Sequence, residues 1–362
     1  MAKPASRLVA LDALRAIAVV LVLGRHLVNV DREIPPLLAS VLTAWRSFGW
    51  MGVDLFFVLS GFLVSGLLFA EYRDRGELRP WRFLGRRAFK IYPGFYFLLV
   101  VSWFWVGTSQ NAPLFLREAL FVQNYLGFVW NHTWSLAVEE HFYFGLAALL
   151  WFIARFGAKP NPFEGLPKLA LLVFTVVFSL RVQQFAEFPY GYLLLPTHFR
   201  IDALLFGTVL AYYATFHHER FATWIRRFRW RIGVASAVLL VPCVLLPLEN
   251  GFIVNTVGLT TNYLGFGGLV ALAATAEGPR LSSWLVSSLA WLGRHSYSVY
   301  LWHSAVSMLT AAFLPRFIGW PASIAAYLVG SIVVGVIAGK AIEFPFLRLR
   351  ERLLSSSASA RP

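Results

Sequence analysis

With 362 residues, 58% of them hydrophobic and only 14% charged, and a mean hydropathy of +0.63, the chain is too apolar for a soluble globular protein. Continuous apolar runs of about 20 residues, such as IGVASAVLLVPCVLLPL from Ile232, indicate membrane-spanning helices and exclude the short alternating segments of a transmembrane barrel. The formal charge of +14 is clustered between those runs, which favours a lipid bilayer over nucleic acid as its partner, and the single Cys243 excludes an internal disulfide and a cysteine-based zinc site.

The expected fold class is therefore all-α, a polytopic membrane bundle of about ten transmembrane helices. Spans fall at roughly 8 to 28, 49 to 70, 91 to 107, 132 to 154, 169 to 187, 199 to 216, 232 to 248, 258 to 276, 288 to 313 and 322 to 342. The first follows Lys3 and Arg7; it is too long for the apolar part of a secretory signal and no small-residue cleavage site follows, so it is read as a span. An even count puts both termini on one side. Alternate connections carry 22 Lys and Arg residues, against four (Arg32, Arg46, Arg117, Arg316) on the opposite side, and this balance predicts that both termini are cytoplasmic. Residues 1–350 are expected to form one membrane domain and 351–362, ending in SSSASARP, a short disordered cytoplasmic tail.

Several of these apolar runs hold ionisable groups, which are costly in a bilayer and normally face the bundle interior. In LDALRAIAVVLVLGRH, Asp12, Arg15 and His26 share one helix face. Asp12 and Arg15 can form an intrahelical ion pair, and Arg25 can snorkel to the interface. His26, without a local carboxylate, needs a partner from another helix. With the predicted orientation, Asp54, Glu139, Glu140, Arg200, Asp202 and His303 reach a similar depth in the outer part of the membrane. Glu139 and Glu140 diverge by about 100°, so one is expected to face a cavity and the other to serve structure. Arg200 and Asp202 either bind substrate or pair with neighbouring helices to fix packing. Ser296, Tyr300 and His303 form a polar stripe on one helix. On the inner side, RPWRFLGRRAFKIYP gathers Arg79, Arg82, Arg86, Arg87 and Lys90 before a span; it either orients the protein or holds a phosphorylated ligand.

Taken together, LDALRAIAVVLVLGRH, GVDLFFVLSGFLVSGLL, FLGRRAFKIYP, LFVQNYL, HTWSLAVEEHFYF, FRIDALLFG, SYSVYLWH and EFPFLRLRERL resemble the acyltransferase-3 family of integral-membrane acyltransferases, over nearly the whole chain. The resemblance implies an O-acyltransferase that takes an acyl group, usually acetyl, from cytoplasmic acyl-CoA to a hydroxyl of a carbohydrate or lipid-linked glycan at the far face. His26 matches the family's first-span catalytic histidine and Arg15 its paired basic residue. Arg87 and Lys90 fall on its Arg-x-x-Arg motif for acyl-CoA, beside Arg86, with Lys90 losing the guanidinium fork. No hydrolase-like extension follows the spans, so the stand-alone form is expected.

On this reading neutral His26 is the general base, with Glu139, Glu140 or Asp54 setting its tautomer. Asn124, Trp134 and Ser135 are candidate donors to the oxyanion, and Arg200, Asp202, Tyr300 and His303 candidate substrate contacts. An acyl-His26 relay is an alternative route. No metal is expected. The rival reading is a transporter or flippase of a glycolipid or anionic substrate, for which Gly265, Gly267 and Gly268 would break a helix at mid-membrane.

Overall fold

A computed structural model describes residues 4–27, 34–157, 161–187, 192–246, 248, 251–277, 283–313 and 319–355. Among the described residues every regular element is helical. The first eight α-helices are α1 (Pro4–Arg25), α2 (Pro36–Phe48), α3 (Met51–Arg75), α4 (Pro80–Val106), α5 (Ala112–Ala119), α6 (Gln123–Leu126), α7 (Trp134–Phe156) and α8 (Leu166–Gln184). They continue as α9 (Ile201–Phe216), α10 (His218–Arg227), α11 (Arg229–Leu245), α12 (Leu259–Ala274), α13 (Trp284–Arg294), α14 (Ser296–Phe313), α15 (Trp320–Ala338) and α16 (Phe344–Ser355).

Six helical stretches, Met51–Arg75, Pro80–Val106, Asn131–Phe156, Pro162–Gln184, Val254–Ala274 and Trp320–Leu354, are long and apolar enough to cross a membrane, and α10 with α11, bent by 77°, make a seventh if they are one span. This is the architecture of a multi-pass membrane protein. The remaining expected spans differ for physical reasons. Helix α1 contains Arg7, Asp12, Arg15 and Arg25, and α9 is only 16 residues long. The span expected at 288 to 313 is two helices, α13 and α14, interrupted at His295. The basic stretch expected before the third span lies largely inside α4, which starts at Pro80, where no backbone donor is needed, and buries Phe83, Ile91, Phe95 and Leu98 at helical spacing. Helix α16 carries the chain through 351–355. Lys3, Arg32, Lys159, Arg280, Arg316 and Arg361, used in the charge balance, lie outside the described residues, as do 356–362.

Contacts divide the chain into two compact units. The first comprises Met1–Arg25, Ser40–Leu78 and Val138–Arg294. Its helices approach closely where glycine leaves room: Gly61 of α3 lies against the Leu204 carbonyl of α9, and Gly207 of α9 against the Val58 carbonyl of α3. One turn on, the Ser65 and Thr208 hydroxyls are hydrogen-bonded at 2.8 Å across the same crossing. Gly265 and Gly268 admit Leu240 and Ser236 of α11, so these glycines serve packing and α12 runs on without the break that the transporter reading requires.

The second unit comprises His26–Ala39, Arg79–Ala137 and His295–Pro362. Here α14 packs on α15, with Gly335 against Val299, and on α4, where Tyr297 donates to the Ile91 carbonyl at 2.6 Å. Helix α15 passes through a π-turn, Gly339–Glu343, into α16, and Arg82 of α4 donates to the Leu354 carbonyl at 3.1 Å. Between α5 and α6 the chain reverses at Phe121, whose φ of 56° is rare for a side chain of its size; the ring stacks on Phe95 at 4.6 Å, which offsets the cost.

Candidate active site

His26 stands directly after the last turn of α1 and meets His303 of α14. His26 Nδ1 and His303 Nε2 are 3.2 Å apart, and the ring centroids 4.7 Å, edge to face. The other nitrogen of His303, Nδ1, is 2.5 Å from the Tyr300 carbonyl oxygen one helical turn back. A carbonyl only accepts, so His303 Nδ1 carries the proton and Nε2 the lone pair. Nδ1–H of His26 therefore donates to His303, and the Ser304 hydroxyl oxygen lies 3.2 Å from the same atom. In neutral His26 the lone pair is then on Nε2. His303 is fully buried, whereas His26 is half-buried.

His132, in the short turn before α7, adds a third imidazole, its centroid 4.8 Å from that of His303. Its Nε2–H donates to the Leu301 carbonyl at 3.1 Å. Tyr300 donates to the His132 carbonyl at 2.7 Å, and Ser135 Oγ is 2.5 Å from the Tyr300 oxygen. With the Tyr300 proton directed at His132, the Ser135 proton is directed at Tyr300. Asn124 is buried in α6, and Trp134 is half-buried at the start of α7. Among the described residues no three His, Cys, Asp or Glu side chains converge as metal ligands would.

The segment that carries His132 is held by Glu118 of α5, fully buried. One carboxylate oxygen accepts from the backbone N–H groups of Val129 and Trp130, both at 2.8 Å, and from the Thr133 hydroxyl at 2.9 Å. Burial pushes the Glu118 carboxyl up to about 7, and the hydrogen bonds from Trp130, Thr133 and Val129 offset only part of that rise. Trp130 also donates to Ser102 of α4 at 2.8 Å, and Gln123 to the Thr133 carbonyl at 2.9 Å.

Three turns into α4, Lys90 is ion-paired with Glu343 of the π-turn, and Glu343 accepts from Ser298 at 2.7 Å. Arg86 is exposed and Arg87 half-buried. Arg82, Arg86 and Lys90 recur every four residues and so form one basic stripe.

The other expected site residues belong to the first unit. Asp54 accepts from Arg200 on one oxygen and from Asn262 at 2.6 Å on the other. Asp202 accepts from Arg181 on both oxygens, at 2.5 and 2.6 Å, and Arg181 also donates to the Phe199 carbonyl and to Thr260. Arg200 and Asp202 thus make inter-helix pairs, the packing role that was the alternative to substrate binding for them. Glu139 accepts from Ser60 at 2.8 Å and Tyr143 at 2.9 Å, while its neighbour Glu140 is buried. Arg15 contacts Asp12 at 3.4 Å within α1, and Arg25 donates to the Arg46 carbonyl.

Residues 8–340 match the acyltransferase-3 family profile, described as an acyltransferase domain. The chain belongs to this family. Three similar proteins are bacterial. A Staphylococcus aureus strain COL protein with a provisional O-acetyltransferase name is 28% identical over 335 residues, 82% of this chain and 50% of that protein. The peptidoglycan O-acetyltransferase OatA of Listeria monocytogenes is 26% identical over 336 residues (84% and 50%), and the O-acetyltransferase OatA of Staphylococcus aureus NCTC 8325 is 25% identical over 327 residues (84% and 51%). The chain spans about half the length of the curated relatives it matches. No solved structure matches it.

In this acyltransferase-3 chain, sequence reasoning passed over four residues. Arg181 is a lone charge in an apolar run, a signal that intramembrane cost alone should have raised. His132 sits two positions before Trp134, beside residues that do stand out. Glu118 and Glu343 carry no local pattern; only the tertiary fold shows what they hold.

Proposed function

We propose that this protein is a membrane O-acyltransferase, moving an acetyl group from cytoplasmic acetyl-CoA to a hydroxyl of a carbohydrate or lipid-linked glycan beyond the bacterial plasma membrane. The observation that carries the reading is the His26–His303 contact. With His303 Nδ1 tied to a carbonyl, His26 is held in the tautomer whose Nε2 is basic. That is the form a general base needs near neutral pH.

In the reaction, the acceptor O–H proton passes to His26 Nε2 as its oxygen bonds to the thioester carbonyl carbon. The tetrahedral intermediate collapses by breaking the C–S bond, and the CoA thiolate recovers the proton from the His26 imidazolium. His303 accepts the Nδ1–H bond throughout and keeps the ring oriented. Asn124 and Trp134 are the donors retained for the oxyanion; Ser135 has its proton directed elsewhere. Asp54 and Glu139 are set aside as supports of the base because both oxygens of each are engaged.

The reading assigns ten crossings, counting α1, α9 and the α13–α14 pair as spans, with both termini cytoplasmic. Polar groups in these shorter helices are then met by protein and not by lipid. The basic stripe of α4 lies on the cytoplasmic side, where Arg86 and its neighbour Arg87 offer guanidinium groups to the CoA phosphates. The relatives' names, O-acetyltransferase and peptidoglycan O-acetyltransferase, support acetyl as the group and glycan as the acceptor class.

The test is to incubate detergent-purified protein with labelled acetyl-CoA and a glycan. Thiol release that rises with glycan and is lost in His26→Ala supports the reading. Glycan flux in vesicles without thiol release would overturn it in favour of transport.

A further inference from the structure

His132 has no task in the acid–base chemistry above. Because its Nε2–H donates to Leu301, the neutral ring keeps its lone pair on Nδ1, and that atom has no hydrogen-bond partner although the residue is only 3% exposed. Buried polar atoms without a partner are uncommon in folded proteins, and those that persist mostly meet a water, a bound group or a reacting atom. The surrounding segment is firmly held. Glu118 accepts three hydrogen bonds from it, Gln123 donates a fourth to the Thr133 carbonyl, and Tyr300 donates to the His132 carbonyl itself. The result is a fixed acceptor atom whose ring lies against His303, the partner of His26.

We infer that His132 Nδ1 accepts a hydrogen bond from a second hydroxyl of the acyl acceptor, one that is not acylated, and so selects acceptors bearing hydroxyls on adjacent carbons. The inference rests on the acyltransferase reading and adds the acceptor's chemistry to it. When such an acceptor presents one hydroxyl to His26, its neighbour satisfies the lone pair that is otherwise left buried. An acceptor with a single hydroxyl leaves it unsatisfied, and a site built around a hydrogen bond discriminates against a ligand that lacks it. The amide N–H groups of the pantetheine arm offer the same donor chemistry, so the test separates the two sources.

Two substitutions divide the ring's functions. His132→Gln keeps a donor toward Leu301 but has no acceptor at the Nδ1 position. His132→Asn places its amide oxygen near the Nδ1 position but loses the Leu301 contact. Thiol release is measured against cellopentaose, whose glucose residues each carry adjacent 2- and 3-hydroxyls, and against acetyl-CoA, together with slow hydrolysis of acetyl-CoA in the absence of glycan. His132→Gln is expected to raise the cellopentaose KM about tenfold, with the acetyl-CoA KM and the hydrolysis rate unchanged, and His132→Asn to restore most of the loss. With wild-type protein, glycerol is expected to stimulate release more than ethanol. A wild-type KM in His132→Gln would overturn the inference, as would an effect on the acetyl-CoA KM alone, no rescue by His132→Asn, or equal stimulation by the two alcohols. Failure of the acyltransferase reading looks different: wild-type protein then releases no thiol under any of these conditions.

Discussion

The two units bury their polar clusters differently. In the first, two arginines and two aspartates make a network of no net charge: Arg200 with Asp54, and Arg181 with Asp202. Every oxygen of the two carboxylates is engaged, and Asn262, Thr260 and the Phe199 carbonyl complete the set. The second unit gathers three imidazoles apart from its Lys90–Glu343 pair, and there His132 Nδ1 has no hydrogen-bond partner and His26 is only half-buried. In the first network each carboxylate meets a guanidinium on another helix, although Arg200 Nε and Asn262 Oδ1 have no hydrogen-bond partner, and the paired charges fix helices; a base that is only half-buried and held in one tautomer can take up a substrate. A buried charge that meets its counter-charge is thus a weaker sign of chemistry here than a half-buried imidazole held by another, although charge is what stands out in a sequence.

The largest expected effect separates the two units by readout. His26→Ala should lower acyl transfer by about 10²–10⁴-fold, the range for loss of a general base, while leaving the melting temperature in detergent unchanged. Asp54→Ala should do the reverse. Removing one member of a buried ion pair strands the Arg200 charge and costs roughly 3–5 kcal/mol, seen as a lower melting temperature and poor yield. The double variant Asp54→Leu/Arg200→Met, which removes both charges, should recover most of that stability. If it instead melted normally but lost all thiol release, the network would belong to the chemistry and the contrast would collapse.

A smaller effect tests how the base is held. His303→Phe keeps a buried ring but removes the acceptor for His26 Nδ1–H, so both tautomers of His26 become populated. We expect kcat to fall on the order of 10²-fold, with the acetyl-CoA KM little changed, since no substrate contact is removed. Recovery of rate in His303→Asn, with an amide oxygen as acceptor, would sharpen the assignment. An unaltered kcat in His303→Phe would remove the contact from the mechanism.

The sequence was most legible where a physical cost is local. Apolar runs of span length announced a helical membrane protein, and His26 was conspicuous because an imidazole near the end of an apolar helix needs a partner. That the partner is His303, 277 positions away, follows only from the packing of α14. The division of 288 to 313 at His295 was hidden because one apolar run reads the same whether or not it bends. Asp54 looked catalytic for the same reason that makes it structural: a carboxylate in an apolar helix must be neutralised, and composition does not say whether substrate or Arg200 does so. Glu118 was invisible, because its three donors are backbone and hydroxyl groups that leave no trace in residue pattern.

Glu118 also gives the finest test of the contrast, because it is a buried carboxyl with no cation among its hydrogen-bonding partners. Its folded value of about 7 stands above the ordinary 4.5, so the folded protein binds this proton more tightly than the unfolded chain. Its contribution to stability is therefore fully present below about pH 4.5 and is lost as pH rises through about 7, by at most about 3 kcal/mol. The proton belongs on Oε2, which has no hydrogen-bond partner, so Oε1 keeps its three bonds in either state. Glu118→Gln reproduces the protonated form. At pH 4 it should melt within about 0.5 kcal/mol of wild type, and the two curves should separate only as pH rises, with the variant the more stable. Parallel melting curves from pH 5 to 8 would show that the carboxyl stays in one state across that range, and the unit would then hold its loop without any titrating group.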